Sequence, residues 1–189
     1  MPSRLTFVLL TLLPWCSYAQ TTNLPLAEMK GHFIGESVAQ LLSKEPEVQQ
    51  QVNACQQHAH QAACEQLLGG VNRGQRARIS TSNWTSFVID GDKLVKLQTL
   101  VHGSSDVAKA DLSAKFGAQS SETAFPMQNA MGARWADHLS VWDTPAVYAG
   151  LREDNNPASQ NHHLVLVVES REEHAHEREE MNPPSASKY

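Results

Sequence analysis

Histidine is the residue type whose number and spacing point most directly to chemistry: nine occur, among them His58-Ala59-His60, His162-His163 and His174-Ala175-His176. Imidazoles that converge on one ion at about 2.1 Å make a zinc or copper site. Two histidines one residue apart share a face in a strand, but on a helix they point about 200° apart. Both His-Ala-His pairs lie in segments that read as helical or unstructured, which argues for exposed polar pairs and leaves His58, His60, His174 and His176 as weak candidate ligands of a surface zinc or copper site. A metal bound there would not be needed for folding, because the only cysteines that could join it are expected to be consumed in a disulfide.

Catalytic patterns are missing. Gly-x-Ser-x-Gly does not occur, and Ser104 and Ser105, in His102-Gly103-Ser104-Ser105-Asp106, read as a strand end followed by a helix cap. The run Glu173-His174-Ala175-His176-Glu177 lacks the spacing of the zinc-protease pattern His-Glu-x-x-His. Gly69-Gly70 and Gly74 lack the lysine and the preceding strand of a phosphate loop. Asp90 and Asp92 flank Gly91, where aspartate is favoured for backbone reasons. No catalytic residue and no cofactor is therefore expected. Trp84, Trp135, Trp142 and Tyr148 could line a binding surface but read first as half-buried core, with Trp142, grouped by strand parity with His138 and Ser140, the best candidate for exposure. Asn83-Trp84-Thr85 is a glycosylation sequon, relevant only in a eukaryotic secretory route.

The elements that must position these residues begin near Phe33. Val38, Leu41 and Leu42 share one helical face, and Pro46 ends that helix and opens the next, whose apolar stripe is Val48, Val52 and Cys55. Nine positions on one straight helix separate Cα atoms by roughly 13 Å, whereas a disulfide tolerates no more than ~7 Å. If Cys55 and Cys64 pair, the helix must break within Gln56 to Gln61, and a short third helix through Leu67 and Leu68 would stop at Gly69-Gly70.

After Gly74 the period changes to two. Trp84 to Ile89 and Lys93 to Val101 form a hairpin around Asp90-Gly91-Asp92, with Val95, Leu97, Thr99 and Val101 facing one way and Lys96 and Gln98 the other. A capped helix follows with Ala108, Leu112 and Phe116 in a stripe and Gly117 closing it. Residues 118–133 read as a turn-rich loop, and Trp135 to Trp142, Ala146 to Leu151 and His163 to Val168 as strands. Leu164 to Val168 is apolar on both parities, as in a central strand. The order implies α+β: an antiparallel sheet of about five strands with the N-terminal helices and one inter-strand helix packed on it.

On Phe87 through Gly91-Asp92-Lys93-Leu94-Val95, on the helix ending Leu112-Ser113-Ala114-Lys115-Phe116-Gly117, and on Trp142 and Leu151, residues 33–171 resemble a loose class of small exported bacterial α+β proteins of unknown function. The resemblance implies a fold and no activity. The helix-on-sheet layout is also similar to that of beta-lactamase-inhibitor-like envelope scaffolds.

Arg4, the apolar run Leu5 to Leu13 and Ser17-Tyr18-Ala19 read as a cleavable export signal over residues 1–19, too short to span a bilayer, which needs about 20 apolar residues. Trp15 stands where lipidation at Cys16 would require a small residue. Cleavage would leave 14 basic and 20 acidic residues, a net charge of −6, with no basic stripe for nucleic acid. Cys55 and Cys64 would remain, an even number in an oxidising compartment, where a disulfide is the natural pairing. Residues 20–32 are expected to be a flexible lead-in, 33–171 a single domain, and 172–189 a charged, then Pro/Ser-rich, disordered tail. These features describe an exported, non-enzymatic binding or accessory module, periplasmic or secreted, whose partner is another envelope or secreted protein. The alternatives are a histidine-based metal-binding protein and a small hydrolase whose site is assembled from residues distant in sequence.

Overall fold

The computed structural model describes residues 29–157 and 163–181; the export signal expected over residues 1–19, residues 20–28, His162 and residues 182–189 lie outside them. The described residues make a mixed α+β structure of five helices and one antiparallel sheet of seven strands, where about five were expected.

The helical layer begins with α1 (Val38–Lys44), capped by Ser37 in a reciprocal pair with Gln40. Pro46 then occupies the first position of α2 (Pro46–Gln57), where its missing N–H costs nothing. The chain breaks over His58 to Gln61 and resumes as α3 (Ala62–Arg73). That break brings the Cα atoms of Cys55 and Cys64 to 4.9 Å, and the two are disulfide-bonded. Contrary to expectation, α3 does not stop at Gly69-Gly70 but at Gly74, which takes the left-handed conformation at φ 64°. Gly70 serves close approach instead: a Cβ there would lie 2.5 Å from the Ala77 Cβ and 2.9 Å from the Ile89 Cδ1, so the helix can rest on the sheet only without one.

The sheet runs β1 (Ala77–Ser80), β2 (Ser86–Asp90), β3 (Lys93–Val101), β7 (His163–Ser170), β6 (Val147–Asp154), β5 (Arg134–Asp143) and β4 (Ser121–Gln128) in spatial order. The expected hairpin is β2 and β3, turning at Gly91 and Asp92 with φ 56° and 68°. One feature of its alternation differs. Val88 pairs with Lys96 and Ile89 with Leu94, so Val95 is an unpaired bulge, and Leu94 takes the place the alternation gave it. The strand apolar on both parities, β7, is indeed central.

The two unexpected strands are the edges. β1 has only four residues, and β4 lies where a loop was expected, because it is exposed along its length and shows no alternation. α4 (Ser105–Phe116), capped by Ser104, sits between β3 and β4 in the chain. The charged segment expected to be unstructured instead carries α5 (Arg171–Met181), held by partners far away in sequence.

Directly opposed residues in an antiparallel ladder point to the same face. Following the register across the sheet, Phe87, Leu97, Val168, Ala149 and Trp142 share one face, and α1 to α4 cover it. Two apolar clusters fill that layer, one beneath α1 to α3 around Phe87 and Leu97, the other beneath α4 around Trp142 and Leu151. Met29 and Ile34 pack against both.

Candidate functional site

The opposite face is covered differently. It presents Lys96, Gln98 and Leu100 from β3, Val165, Val167 and Glu169 from β7, Tyr148, Gly150 and Arg152 from β6, and Asp137, Leu139 and Val141 from β5. α5 packs on one end of this face, against β6 and β7. Beyond α5, Leu100, Val165, Val167, Leu139 and Val141 are half-buried side chains on neighbouring strands, and Phe125 on β4 is 44% exposed. Gly150 leaves room in the middle of this strip, with Leu139 and Tyr148 folded over it.

Charged groups hold α5 down. Its one buried residue is Glu173, and the Arg76 guanidinium grips both carboxylate oxygens. Burial works against the charge on Glu173, but the Arg76 hydrogen bonds outweigh it and hold the carboxyl below the ordinary glutamate range. Buried Lys96 lies between Glu169, at 3.0 Å, and Glu177, at 2.5 Å. His174 bonds to Glu169 at 2.6 Å and stacks on Tyr148 with ring centroids 3.8 Å apart, while Arg171 pairs with Asp143. Burial, with Glu169 beside it, pushes the Tyr148 phenol up.

A second polar cluster frames the far end of the face. Asp137 accepts hydrogen bonds from the Trp135 indole at 3.0 Å, the Arg152 guanidinium at 2.9 Å and the Asn155 backbone N–H at 3.1 Å. Its burial opposes ionisation, yet these donors keep its carboxyl below the usual aspartate range. A third cluster belongs to the helical side: His32 faces Glu36 through Nδ1 at 2.5 Å and Glu45 through Nε2 at 2.9 Å, and Lys44 bonds the other Glu36 oxygen at 2.8 Å. Both His32 and Glu36 are buried, His32 with its ring edge-on to Phe87, so the group ties the N-terminal segment to α1 and α2 with no room for a substrate.

The candidate ligands fall as follows. His58 caps α2 and His60 follows in the turn, both exposed, with ring centroids 6.4 Å apart. His174 is used in packing α5, and His176 lies on the exposed side near Glu180. Among the described residues no three histidine, cysteine, aspartate or glutamate side chains are grouped as a metal site. Ser104 is the cap of α4, accepting from the Val107 N–H, so the structure gives it the role read from its sequence.

The aromatic residues correct the sequence reading. Trp142, the best candidate for exposure by parity, is wholly buried under α4, as the core reading has it, with its indole N–H donating to Ser113. Its parity with His138 and Ser140 is as expected, but that parity belongs to the helix-covered face. Among the described residues the exposed tryptophan is Trp84, at 77%, in the β1–β2 turn. The Asn83-Trp84-Thr85 sequon folds into that turn, where the Asn83 side-chain oxygen accepts from the Thr81 hydroxyl and the Thr85 N–H. Lys96, Glu169 and Glu173 were not singled out from sequence; the isolated lysine inside an apolar strand was the one signal available.

No protein-family model, no curated protein and no solved structure matches the chain.

Proposed function

We propose that the chain is an exported, non-enzymatic binding module that meets another envelope or secreted protein on the open part of the second sheet face. The observation that carries this reading is the strip of half-buried Val167, Leu139 and Val141 and exposed Phe125 on the face where α5 packs, while four helices lie on the other side. Contiguous apolar surface of this kind, rimmed by polar groups, marks interaction sites. The rim is present: Asp137 and Arg152 at one end, the Lys96 and Glu177 cluster at the other. Export rests on the N-terminal signal pattern, and the Cys55–Cys64 disulfide is consistent with an oxidising compartment.

The test is in-cell crosslinking from a photoreactive residue placed at Val141, with Val167→Lys and Leu139→Lys as disrupting changes. The expected result is one crosslinked protein partner, lost in both variants while their circular dichroism stays unchanged. Crosslinks that persist in both variants, or that join two copies of this chain, would refute the reading.

A further inference from the structure

Trp84 lies at a corner of the open face and is held there against local cost. Its φ is 61°, a left-handed conformation that disfavours a bulky side chain. Such strain persists only where the surroundings enforce it. The turn does so. The Trp84 N–H donates to the Thr81 carbonyl, the Thr81 N–H to the Thr85 carbonyl, and the Thr81 hydroxyl and Thr85 N–H both reach Asn83. The neighbouring Ser82 is tied to α2 through both Glu47 carboxylate oxygens, at 2.7 and 2.9 Å. The backbone that carries the exposed indole is thus fixed in place before anything binds.

Open clefts flank it on both sides. One, of about 490 Å³, is lined by Arg78, Ser80, Ser86 and Gln98; the other, of about 440 Å³, by Gln98, Leu100, Asp154 and Val165. Both volumes fall in the range of small-ligand sites, about 300–1,000 Å³. The side chains of Arg78, Ser80, Ser86 and Gln98 and the Trp84 indole N–H make no hydrogen bond among the described residues. Serine hydroxyls and an amide offer donors and acceptors together, which suits a ligand whose own groups do both. Arg78 stands on one side, and Asp154 with the imidazole of His163 on the other, so groups of both kinds line the clefts and no cluster of one sign forms.

We infer that Trp84 and its two flanking clefts form a binding site for a neutral oligosaccharide. A pyranose ring has a flat, C–H-bearing face that meets the electron-rich face of an indole, and a rim of hydroxyls that act as donors and acceptors. Trp84 stacks on one sugar ring, Gln98, common to both clefts, bonds its rim, and Arg78, Ser80 and Ser86 bond the next unit. A nucleotide chain would also stack, but its phosphates would meet a net acidic protein and the Glu47 carboxylate beside the turn. The inference goes beyond the protein-binding reading and does not depend on it, since Val141 and Phe125 line neither cleft.

The experiment titrates the full-length exported protein with chitohexaose, cellohexaose and maltohexaose, following the Trp84 indole N–H resonance and calorimetric heat. The expected result is saturable binding of at least one of the three, weakened at least tenfold by Trp84→Ala, severalfold by Gln98→Ala, and retained in part by Trp84→Phe. Val141→Lys should leave it unchanged. Because Trp84 is exposed, the folded state of each variant is checked by its thermal transition, and Gln98→Ala gives a second reading that leaves the strained turn intact. Absence of binding to all three sugars, equal affinity in Trp84→Ala, or loss of a protein crosslink in Trp84→Ala without any sugar binding would overturn the inference.

Discussion

Under α1 to α4 the sheet meets leucine, valine, isoleucine and phenylalanine, whereas under α5 it meets lysine, glutamate, arginine and a stacked histidine. Water exclusion holds the first layer. It is non-directional, proportional to apolar area, and little affected by salt. Directional ion pairs hold the second. Their attraction must first offset the cost of removing charge from water, so the net gain is small even where each contact is close. One helix layer is therefore part of the fold, and the other is a local cover whose hold depends on pH and ionic strength.

The largest effect should come from the first layer. Phe87→Ala removes a fully buried ring from between α1 to α3 and the sheet and should cost about 3–5 kcal/mol in denaturant unfolding, with the whole domain melting together. A loss below about 1.5 kcal/mol would break the comparison. Next comes the double change of Cys55 and Cys64 to serine, which opens the α2–α3 link and should cost about 2–3 kcal/mol, measured the same way.

The second layer should respond less and only locally. Glu173→Gln weakens the Arg76 grip, and because Arg76 can rehydrate the expected cost is about 1–2 kcal/mol. Hydrogen exchange should rise along α5 and stay unchanged in β3 and β7. Acid sharpens the same contrast. Glu173 and Asp137 are held below their ordinary values, so the stability they add is fully present above about pH 4.5, and falls away as pH drops through their folded-state values. For Glu173, whose charge is faced by Arg76 and Lys96, the acid loss should be shallower in Glu173→Gln. A parallel pH profile in that variant would assign the acid response elsewhere. The smallest effect is Arg171→Ala: its pair with Asp143 is well exposed on both sides, and the melting temperature should shift by no more than about 0.5 kcal/mol implies.

Legibility in the sequence followed the range of the interactions. The hairpin, the cap at Ser104 and the break between the cysteines are written in nearby residues, so spacing and turn chemistry expose them. α5 is not, because Arg171-Glu172-Glu173-His174 has the composition of a solvated tail and becomes an ordered helix through Arg76 and Lys96, 97 and 81 positions away in the pairs they make. β4 has no alternation to read, since neither of its faces is buried. Trp142 shows the limit most clearly. Parity sorted it correctly from its neighbours, but nothing local says which parity the helices will cover. The exposed indole at Trp84 depends on a backbone angle that residue type argues against.

Pro126 carries a consequence for how this protein behaves when it is concentrated. It sits within β4, at the outer margin of the sheet opposite Ala136, and lacks the N–H that a further strand would need there. The other margin, β1, is four residues long. Neither border offers a long, regular row of donors and acceptors, so the sheet cannot readily recruit a neighbour's strand into a growing ribbon. The sheet is thereby guarded against lateral polymerisation, and replacing Pro126 with valine would remove that guard where aggregation is most easily seeded.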